Sequence, residues 1–276
     1  MTSSPFIILG AGYTGRYLYA ALKERGAQVL ATSRDAEHNL PYISDHDRLT
    51  FDLARPATWP AFPPDCRVFW CFPAEPIELV RRFADARLMD IRRLVVLGST
   101  SAYDPASPEW DVPPPWLDES ASLNQALPRV QGEEFLRTSC GAIVLRAAGI
   151  YGPGRNPLDW IRRGRVGLSR RYVNLIHVED LAGICLELCE RGPCGESYNV
   201  SDGVPRTWHD ICRTARERWS VACLEASDTK HPGKRIATAK LRQALHHTLK
   251  HPDLYEAIAS IEANAPARVN VTVPHL

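Results

Sequence analysis

The chain has 276 residues, enough for one large domain or a domain with a smaller lobe. Hydrophobic residues make up 45% of it and charged residues 24%, an ordinary globular composition that excludes a disordered chain. The formal net charge of +1 excludes a general electrostatic attraction to nucleic acid or membrane lipid. The N-terminus lacks the basic lead and long apolar run of a signal peptide, and no apolar run reaches the length of a membrane span, so we expect a cytoplasmic protein.

The eight cysteines and the histidines form no metal motif. No two cysteines make a C-x-x-C pair, and Cys185 and Cys189 lie four residues apart on an apolar helical pattern. This favours small hydrophobic side chains in a reduced core over disulfides or metal ligands. His247 and His251 have helical spacing, but no acidic motif accompanies them, so we expect no metal site.

The N-terminal third begins with a strand, a glycine-rich turn and a helix. The apolar run PFIILG predicts a buried parallel strand, and YLYAALKERG has helical spacing. Between them, GAGYTG places Gly10, Gly12 and Gly15 in a G-x-G-x-x-G motif. In this setting the three glycines permit the tight turn, the approach of a pyrophosphate and close helix–strand packing. Tyr13 and Thr14 lie in the same loop, where the helix N-terminus attracts phosphate, so the motif predicts a dinucleotide site.

The end of the second predicted strand, AQVLATSR, indicates which dinucleotide binds. An NAD site usually has an acidic residue there, which binds the ribose 2′-hydroxyl. This strand ends instead in Thr32, Ser33 and Arg34, and the first acid is Asp35. Hydroxyls and a guanidinium suit a 2′-phosphate, so we expect NADP(H) to be preferred over NAD(H). The alternative is that Arg34 is a solvated loop residue.

Further strands and helices follow at the spacing of βαβ units. The segments RLTFDL (48–53), CRVFWCFPA (66–74) and RRLVVLGSTSAY (92–103) predict strands, and IELVRRFADARL (77–88) predicts a helix. The alternation predicts a parallel sheet with helices on both faces. Because ligands bind at the carboxyl ends of such strands, we expect Asp52, Phe72 and Pro73 near the cofactor.

The chain resembles the extended or atypical short-chain dehydrogenase/reductases, which include NAD(P)-dependent epimerases and dehydratases. The similar segments run along nearly the whole chain: LGAGYTG, VVLGSTSAYD, VLRAAGIYGPGR, VNLIHVEDLA, ESYNVSDG and GKRIATAKLRQAL. The resemblance implies hydride transfer between a nicotinamide and a substrate carbon. In the family, a Tyr is the acid/base and a Lys four residues later lowers its pKa. A Ser or Thr ending the fifth strand binds the carbonyl oxygen, which here implies Ser99 or Thr100.

The chain departs from the family in the helix that should carry the Tyr and Lys. No Tyr-x-x-x-Lys lies between residues 104 and 140. Counting back from EEFL (133–136), Gln125 falls at the Tyr position and Arg129 at the Lys position. A helical turn would place both on one face. Arg129 would retain the positive charge near the ribose, but Gln125 cannot exchange a proton near neutral pH.

A substitute acid is therefore needed if the protein is an enzyme. The first candidate is Tyr151, which opens the YGPG loop on the expected substrate side. Tyr103, Cys71 and Asp104 are weaker alternatives, and the sequence does not decide among them.

Several segments are candidates for the substrate side. The proline-rich stretch 104–120 predicts a loop that is either a surface connector or a lid, and ARVNVTVPHL predicts an edge strand or a disordered tail. An arginine cluster could bind an anion or form a solvated face: Arg155, Arg162, Arg163, Arg165, Arg170 and Arg171. The resemblance makes His177 structural and places Asn174 and Arg206 near the substrate.

The sequence thus predicts an α/β fold: a Rossmann-type doubly wound parallel sheet with a small discontinuous C-terminal substrate region. Residues 1–150 and 174–200 should form the dinucleotide-binding domain, and 151–173 and 201–276 the smaller region. The leading interpretation is an NADP(H)-dependent oxidoreductase or epimerase/dehydratase. Its small-molecule substrate would have a carbonyl or hydroxyl group and could carry a nucleotide diphosphate or carboxylate. The alternative is a non-catalytic protein that binds NADP(H) as a structural or sensory ligand. A homodimer is compatible with either, and no nucleic-acid or membrane partner is expected.

Overall fold

A seven-stranded parallel sheet forms the centre of the molecule in a computed structural model, which describes residues 4–104, 113–225, 232–245 and 248–264. The strands are β1 (Phe6–Leu9), β2 (Val29–Ser33), β3 (Arg48–Thr50), β4 (Arg67–Trp70), β5 (Arg93–Ser99), β7 (Ile143–Ala147) and β11 (Ser197–Val200). Their order across the sheet is β3-β2-β1-β4-β5-β7-β11, and every pairing is parallel. This confirms the predicted fold class.

Helices cover both faces of the sheet. The helices of the described residues, of which α5, α7 and α9 belong to a separate layer, are α1 (Tyr13–Glu24), α2 (Ala36–Asn39), α3 (Ile77–Arg87), α4 (Pro128–Ser139), α5 (Pro157–Arg162), α6 (Val178–Arg191), α7 (Trp208–Trp219), α8 (Ala239–Ala244) and α9 (Leu254–Ala263). Side chains of a strand alternate between faces, so Ile8 packs with α1 and α6 on one side while Leu9 packs with α3 and α4 on the other. Cys185 and Cys189 lie fully buried in the first of these cores, as their apolar pattern predicted.

Short strand pairs and three helices build a further layer beyond the carboxyl end of the sheet. The strands are β6 (Trp116–Leu117), β8 (Gly149–Tyr151), β9 (Tyr172–Val173), β10 (Leu175–His177), β12 (Arg206–Thr207) and β13 (Arg235–Ile236). They pair as β8 with β10, β9 with β12, and β6 with β13. A third apolar cluster, which includes Leu158, Trp208 and Ile258, joins α5, α7 and α9.

Within the described ranges, no helix has both the length and the apolar character that crossing a membrane requires. Residues 105–112 of the proline-rich loop, His247 and the tail beyond Asn264 lie outside those ranges. The lid, the His247–His251 pair and the edge strand therefore stay predictions.

Candidate functional site

A cavity of about 580 Å³ opens where β1, β2 and β4 end. It brings together seven of the residues predicted to bind the cofactor: Gly10, Gly12, Ser33, Arg34, Asp52, Phe72 and Pro73. These residues come from four different strand ends, so the parallel sheet alone explains their convergence.

The glycine-rich turn has the geometry that a phosphate loop needs. Gly10 has φ +79°, and a Cβ there would lie 2.9 Å from Phe72 Cδ1. A Cβ on Gly15 would lie 3.0 Å from the Gly10 carbonyl oxygen, which keeps the helix close to the strand. A Cβ on Gly12, by contrast, would meet no atom of the described chain within 4 Å. Gly12 caps α1 without a side chain, so the first-turn N–H groups of the helix face the open cavity.

Tyr13 and Thr14 form the first turn of α1 but do not line the cavity. Thr14 is buried, and Gly15 packs beneath the turn. The Tyr13 hydroxyl donates a hydrogen bond to the Pro153 carbonyl, 3.1 Å away, and the Arg155 guanidinium lies 4.9 Å from the Tyr13 ring centroid. The Tyr13 side chain therefore ties the phosphate loop to the loop after β8.

The end of β2, together with α1 and α2, presents cationic and neutral groups to the cavity. Arg34 and Arg16 both line it, and within the described residues neither guanidinium forms an ion pair. Asn39 donates a hydrogen bond to the Ser33 hydroxyl at 3.0 Å. The Asp35 carboxylate is engaged elsewhere, because it caps α2 by accepting a hydrogen bond from the His38 N–H.

Asp52 is the carboxylate that the sequence placed near the cofactor. It accepts a hydrogen bond from the Ala54 N–H and pairs with Arg55 at 3.0 Å. The Ala54 hydrogen bond and the nearby Arg55 lower the pKa of Asp52, which stays ionised at neutral pH. Phe72 and Leu79 supply the apolar wall of the same cavity.

A second cavity of about 700 Å³ lies at the carboxyl ends of β5 and β7. Thr100 and Ser101 line it from the short 3-10 turn after β5. The Ser99 hydroxyl lies beside them and accepts a hydrogen bond from the Ser101 N–H. The remaining lining is largely cationic, aromatic or amide in character: Arg129, Arg171, Lys234, Trp160, Tyr172, Trp208, Asn124 and Asn174. This cavity can hold a substrate with an oxygen near Thr100 and a negative charge near the cations.

The predicted placement of Gln125 on the catalytic helix is wrong. Helix α4 begins at Pro128, and Gln125 is exposed in the preceding turn, where its carbonyl accepts a hydrogen bond from Gln131. Proline favours the first turn of a helix and restricts the residue before it, which explains the late start. Arg129 does line the cavity and donates to the Ser99 carbonyl at 3.3 Å. The positive charge of Arg129 is therefore present at the cavity, but Gln125 does not lie beside it on the helix.

Glu133 lies one turn beyond Arg129 and is only 2% exposed. It packs against the backbone of β5, since a Cβ on Gly98 would be 2.7 Å from Glu133 Oε2. Burial raises the pKa of Glu133 to about 7, although Arg129 and Arg146 act in the opposite direction.

Among Tyr151 and the weaker acid candidates, only Tyr103 is a lining residue of the second cavity. Tyr151 is fully buried, its hydroxyl has no hydrogen-bond partner in the described chain, and it lines neither cavity. The Tyr103 hydroxyl is buried and donates to Asn199. Cys71 lines the first cavity, but burial raises its thiol pKa to about 12. Asp104 is exposed after Tyr103 and does not line the cavity.

The arginine cluster does not form one anion site. Arg162 pairs with Asp159 and Glu262, Arg155 stacks on Tyr13, and only Arg171 of the six lines the second cavity. His177 caps α6 by accepting a hydrogen bond from the Glu179 N–H at 3.3 Å, which agrees with a structural role.

Of the two residues placed near the substrate by resemblance, Asn174 lines the cavity. Arg206 instead pairs with Asp202 at 2.6 Å, outside the lining. Sequence reasoning missed Lys234, because nothing local in GKRIATAKL marks it as part of a site more than 130 residues away from Thr100.

The fold has counterparts in known proteins. The chain is structurally similar over nearly its full length to NAD(P)-dependent epimerases and dehydratases of the atypical short-chain dehydrogenase/reductase family. A protein described as an NAD-dependent epimerase/dehydratase from Methylobacillus flagellatus has 25% sequence identity and a TM-score of 0.75, with 94% of this chain and 98% of that one covered. This confirms the resemblance found in the sequence.

Two further solved structures carry ligands. The human epimerase family protein SDR39U1 with NADPH has 16% identity and a TM-score of 0.72, covering 95% of this chain and 100% of the other. MoeE5 in complex with UDP-glucuronic acid and NAD has 17% identity and a TM-score of 0.72, covering 94% and 98%. At these identities the likeness concerns the fold.

Similarity at the level of sequence is weaker. Protein YeeZ of Escherichia coli is 28% identical over 127 residues, and the matched stretch spans 45% of this chain and 45% of YeeZ, less than half of each. No family model matches the chain.

Proposed function

We propose that this protein is an NADP(H)-dependent oxidoreductase or epimerase/dehydratase of the atypical short-chain type. The observation that carries the proposal is the pair of cavities along the carboxyl edge of one sheet. One is lined by the phosphate loop and Arg34, the other by Thr100 and Arg129. When bound, the nicotinamide would supply or accept a hydride at the substrate carbon. Gly10, Gly12, Tyr13, Thr14 and Gly15 would form the phosphate loop, with Tyr13 and Thr14 contributing backbone N–H groups.

The preference for NADP(H) is supported by the charges at the end of β2 and on α1. Arg34 and Arg16 can pair with a 2′-phosphate, and the Ser33 and Asn39 side chains can add hydrogen bonds. The acid nearest in sequence, Asp35, is occupied as a helix cap and does not line the cavity. Asp52, Phe72 and Pro73 would border the rest of the nucleotide.

The substrate would be a small molecule with a carbonyl or hydroxyl group. Ser99 or Thr100 would bind its oxygen, and Arg129 would supply positive charge close by. Arg171 and Lys234 line the same space, which supports a substrate that also carries a nucleotide diphosphate or carboxylate group.

The second candidate function is non-catalytic binding of NADP(H). The exposed position of Gln125 favours it, because no phenol occupies the usual place of the acid beside Arg129. Tyr151, the substitute proposed from the sequence, would need to leave its buried position to reach a substrate. Turnover of NADPH with any carbonyl compound would decide between the two functions.

The first experiment is a fluorescence titration of the purified protein with NADPH and with NADH. Arg34→Ala should weaken NADPH binding by about 10- to 100-fold, the loss of about 1.5–3 kcal/mol for one charge-assisted contact, and leave NADH binding unchanged. Arg213→Ala, on the exposed face of α7, is the control and should change neither affinity. An equal loss for both cofactors, or no loss, would remove Arg34 from the 2′-phosphate site.

We further propose the division of the chain made from the sequence. Residues 1–150 and 174–200 would form the dinucleotide-binding domain, and 151–173 and 201–276 the substrate-side region. The third apolar cluster, with Leu158, Trp208 and Ile258, supports a separate core for that region. A cytoplasmic location and a homodimer complete the proposal.

A further inference from the structure

The second cavity contains hydroxyl, guanidinium and amide groups near Thr100, but these are poor proton donors at neutral pH. Arg129 keeps its proton, and the hydroxyl of Tyr103 is held in the core by Asn199. Among the described lining residues, the groups able to exchange a proton with a substrate are the Lys234 ammonium and the Tyr172 phenol.

Lys234 is bound to the turn that carries the substrate-binding hydroxyls. Its Nζ donates a hydrogen bond to the Tyr103 carbonyl oxygen at 2.6 Å and lies 3.5 Å from the Thr100 carbonyl oxygen. The third proton of the ammonium group is left for a ligand, and the side chain lines the cavity beside Arg129.

The chain around Lys234 is held rigidly. Gly233 has φ +82°, and a Cβ there would lie 2.2 Å from the Tyr172 carbonyl oxygen, so the backbone can approach β9 only as glycine. The Asn174 side chain donates to the Lys234 carbonyl at 2.8 Å and accepts from the Ile236 N–H at 3.0 Å. These contacts fix the direction of Lys234, as a proton donor requires.

We propose that Lys234 is the proton donor to the substrate oxygen, in place of the tyrosine that the family uses. This rests on the proposed function. Reduced nicotinamide supplies a hydride to the carbonyl carbon, and the oxygen takes a proton from the Lys234 ammonium, which leaves an alcohol, oxidised nicotinamide and a neutral amine. The amine then regains a proton from water, and the reverse reaction uses it as the base.

The surroundings of Lys234 favour proton release. Burial lowers its pKa, Asp104 opposes this effect, and the positive charges of Arg171 and Arg129 act with burial. An amine whose pKa moves toward neutrality is a better acid and base at physiological pH.

The first test measures Lys234 without any substrate. The chain has five lysines, so reductive dimethylation with ¹³C-formaldehyde gives a spectrum simple enough to assign. Lys234→Arg should remove one dimethyl-lysine signal, and Lys250→Arg, an exposed control, should remove another. In a pH titration, the Lys234 signal should titrate below the Lys250 signal. Titration at the same pH or higher would overturn the proposal.

The second test uses turnover of NADPH with 4-carboxybenzaldehyde, an aldehyde that carries an anionic group. Lys234→Arg, which keeps the charge, and Lys234→Met should each lower kcat by about 10²-fold or more. Both should bind NADPH as the wild type does, since Lys234 lies outside the cofactor cavity. Tyr172→Phe, which removes the other group of the cavity able to exchange a proton, should keep the wild-type dependence of kcat on pH. As the pH rises above the pKa of Lys234, the wild-type kcat for reduction should fall. This fall in kcat should be absent from Lys234→Arg.

The outcomes separate this proposal from the proposed function. If NADPH binds and the Lys234 variants retain the wild-type kcat and pH profile, the proton donor is another group while the function stands. If NADPH does not bind, the proposed function fails, and with it the role of Lys234. If NADPH binds but the probe is not reduced, the titration alone decides, and an ordinary lysine signal overturns the proposal.

Discussion

Glu133 should make the stability of the protein fall as the pH rises. Its carboxyl is 2% exposed against the backbone of β5, and burial raises its pKa to about 7. An unfolded glutamate titrates near 4.3. Between these values the folded chain holds a proton that the unfolded chain has lost. The stabilisation of the fold by Glu133 is therefore fully present below about pH 4 and is lost as the pH rises to about 7.

The size of the effect follows from the shift in pKa. Each pH unit across that window changes the free energy of unfolding by about 1.4 kcal/mol, and we expect a loss of about 2.5 kcal/mol between pH 5 and pH 8.5. Glu133→Gln keeps the shape of the side chain and removes the titration. The gap in the free energy of unfolding, mutant minus wild type, should therefore grow by about 2.5 kcal/mol over the same range.

Urea denaturation of both proteins at pH 5 and pH 8.5, followed by circular dichroism, measures this gap. Glu217→Gln, on the exposed face of α7, is the control and should show a gap that does not change with pH. A constant gap for Glu133→Gln would mean that folding does not shift the pKa of this carboxyl, and a gap that shrinks at high pH would mean that Arg129 and Arg146 keep it ionised at low pH. Either result would refute the reasoning.

The two other predictions concern the phosphate loop and the helix that follows β10. Gly12→Ala should leave the melting temperature nearly unchanged but weaken NADPH binding at least tenfold, because the new Cβ would project into the open cavity. Gly15→Ala should lower the melting temperature, because its Cβ would lie 3.0 Å from a carbonyl oxygen. Calorimetry and fluorescence titration distinguish them, and equal effects on stability would contradict the packing argument. Burial, aided by His251, lowers the pKa of His177 to about 4, so the unfolded chain takes up a proton first as the pH falls. The contribution of His177 should fall by about 2 kcal/mol from pH 7 to pH 5, opposite in sign to that of Glu133, so only a comparison with a mutant isolates it. In urea denaturation, the free energy of unfolding of His177→Asn, which keeps a capping side chain, minus that of the wild type should therefore grow by about 2 kcal/mol from pH 7 to pH 5, and a constant difference would contradict the assignment.

The residues that line the first cavity could be grouped from the sequence because their signals are local. The glycines, Ser33 and Arg34 each follow directly on an apolar strand, and parallel strands bring their carboxyl ends together whatever the loops do. The catalytic half was less readable. A count of residues set Gln125 on a helix that starts only at Pro128, and a run of arginines in the sequence separated into different ion pairs and stacking contacts.

The sequence by itself determined the order of strands and helices, the glycine-rich turn between β1 and α1, and the lack of a Tyr-x-x-x-Lys pair. These depend on periodicity, glycine and residue identity within a few neighbouring positions. Only the tertiary structure decided which side chains share the second cavity. Lys234 reaches Thr100 because β13 pairs with β6 and Gly233 allows the backbone to approach Tyr172. Such contacts between distant segments depend on packing and backbone geometry, which leave no periodic trace in the chain.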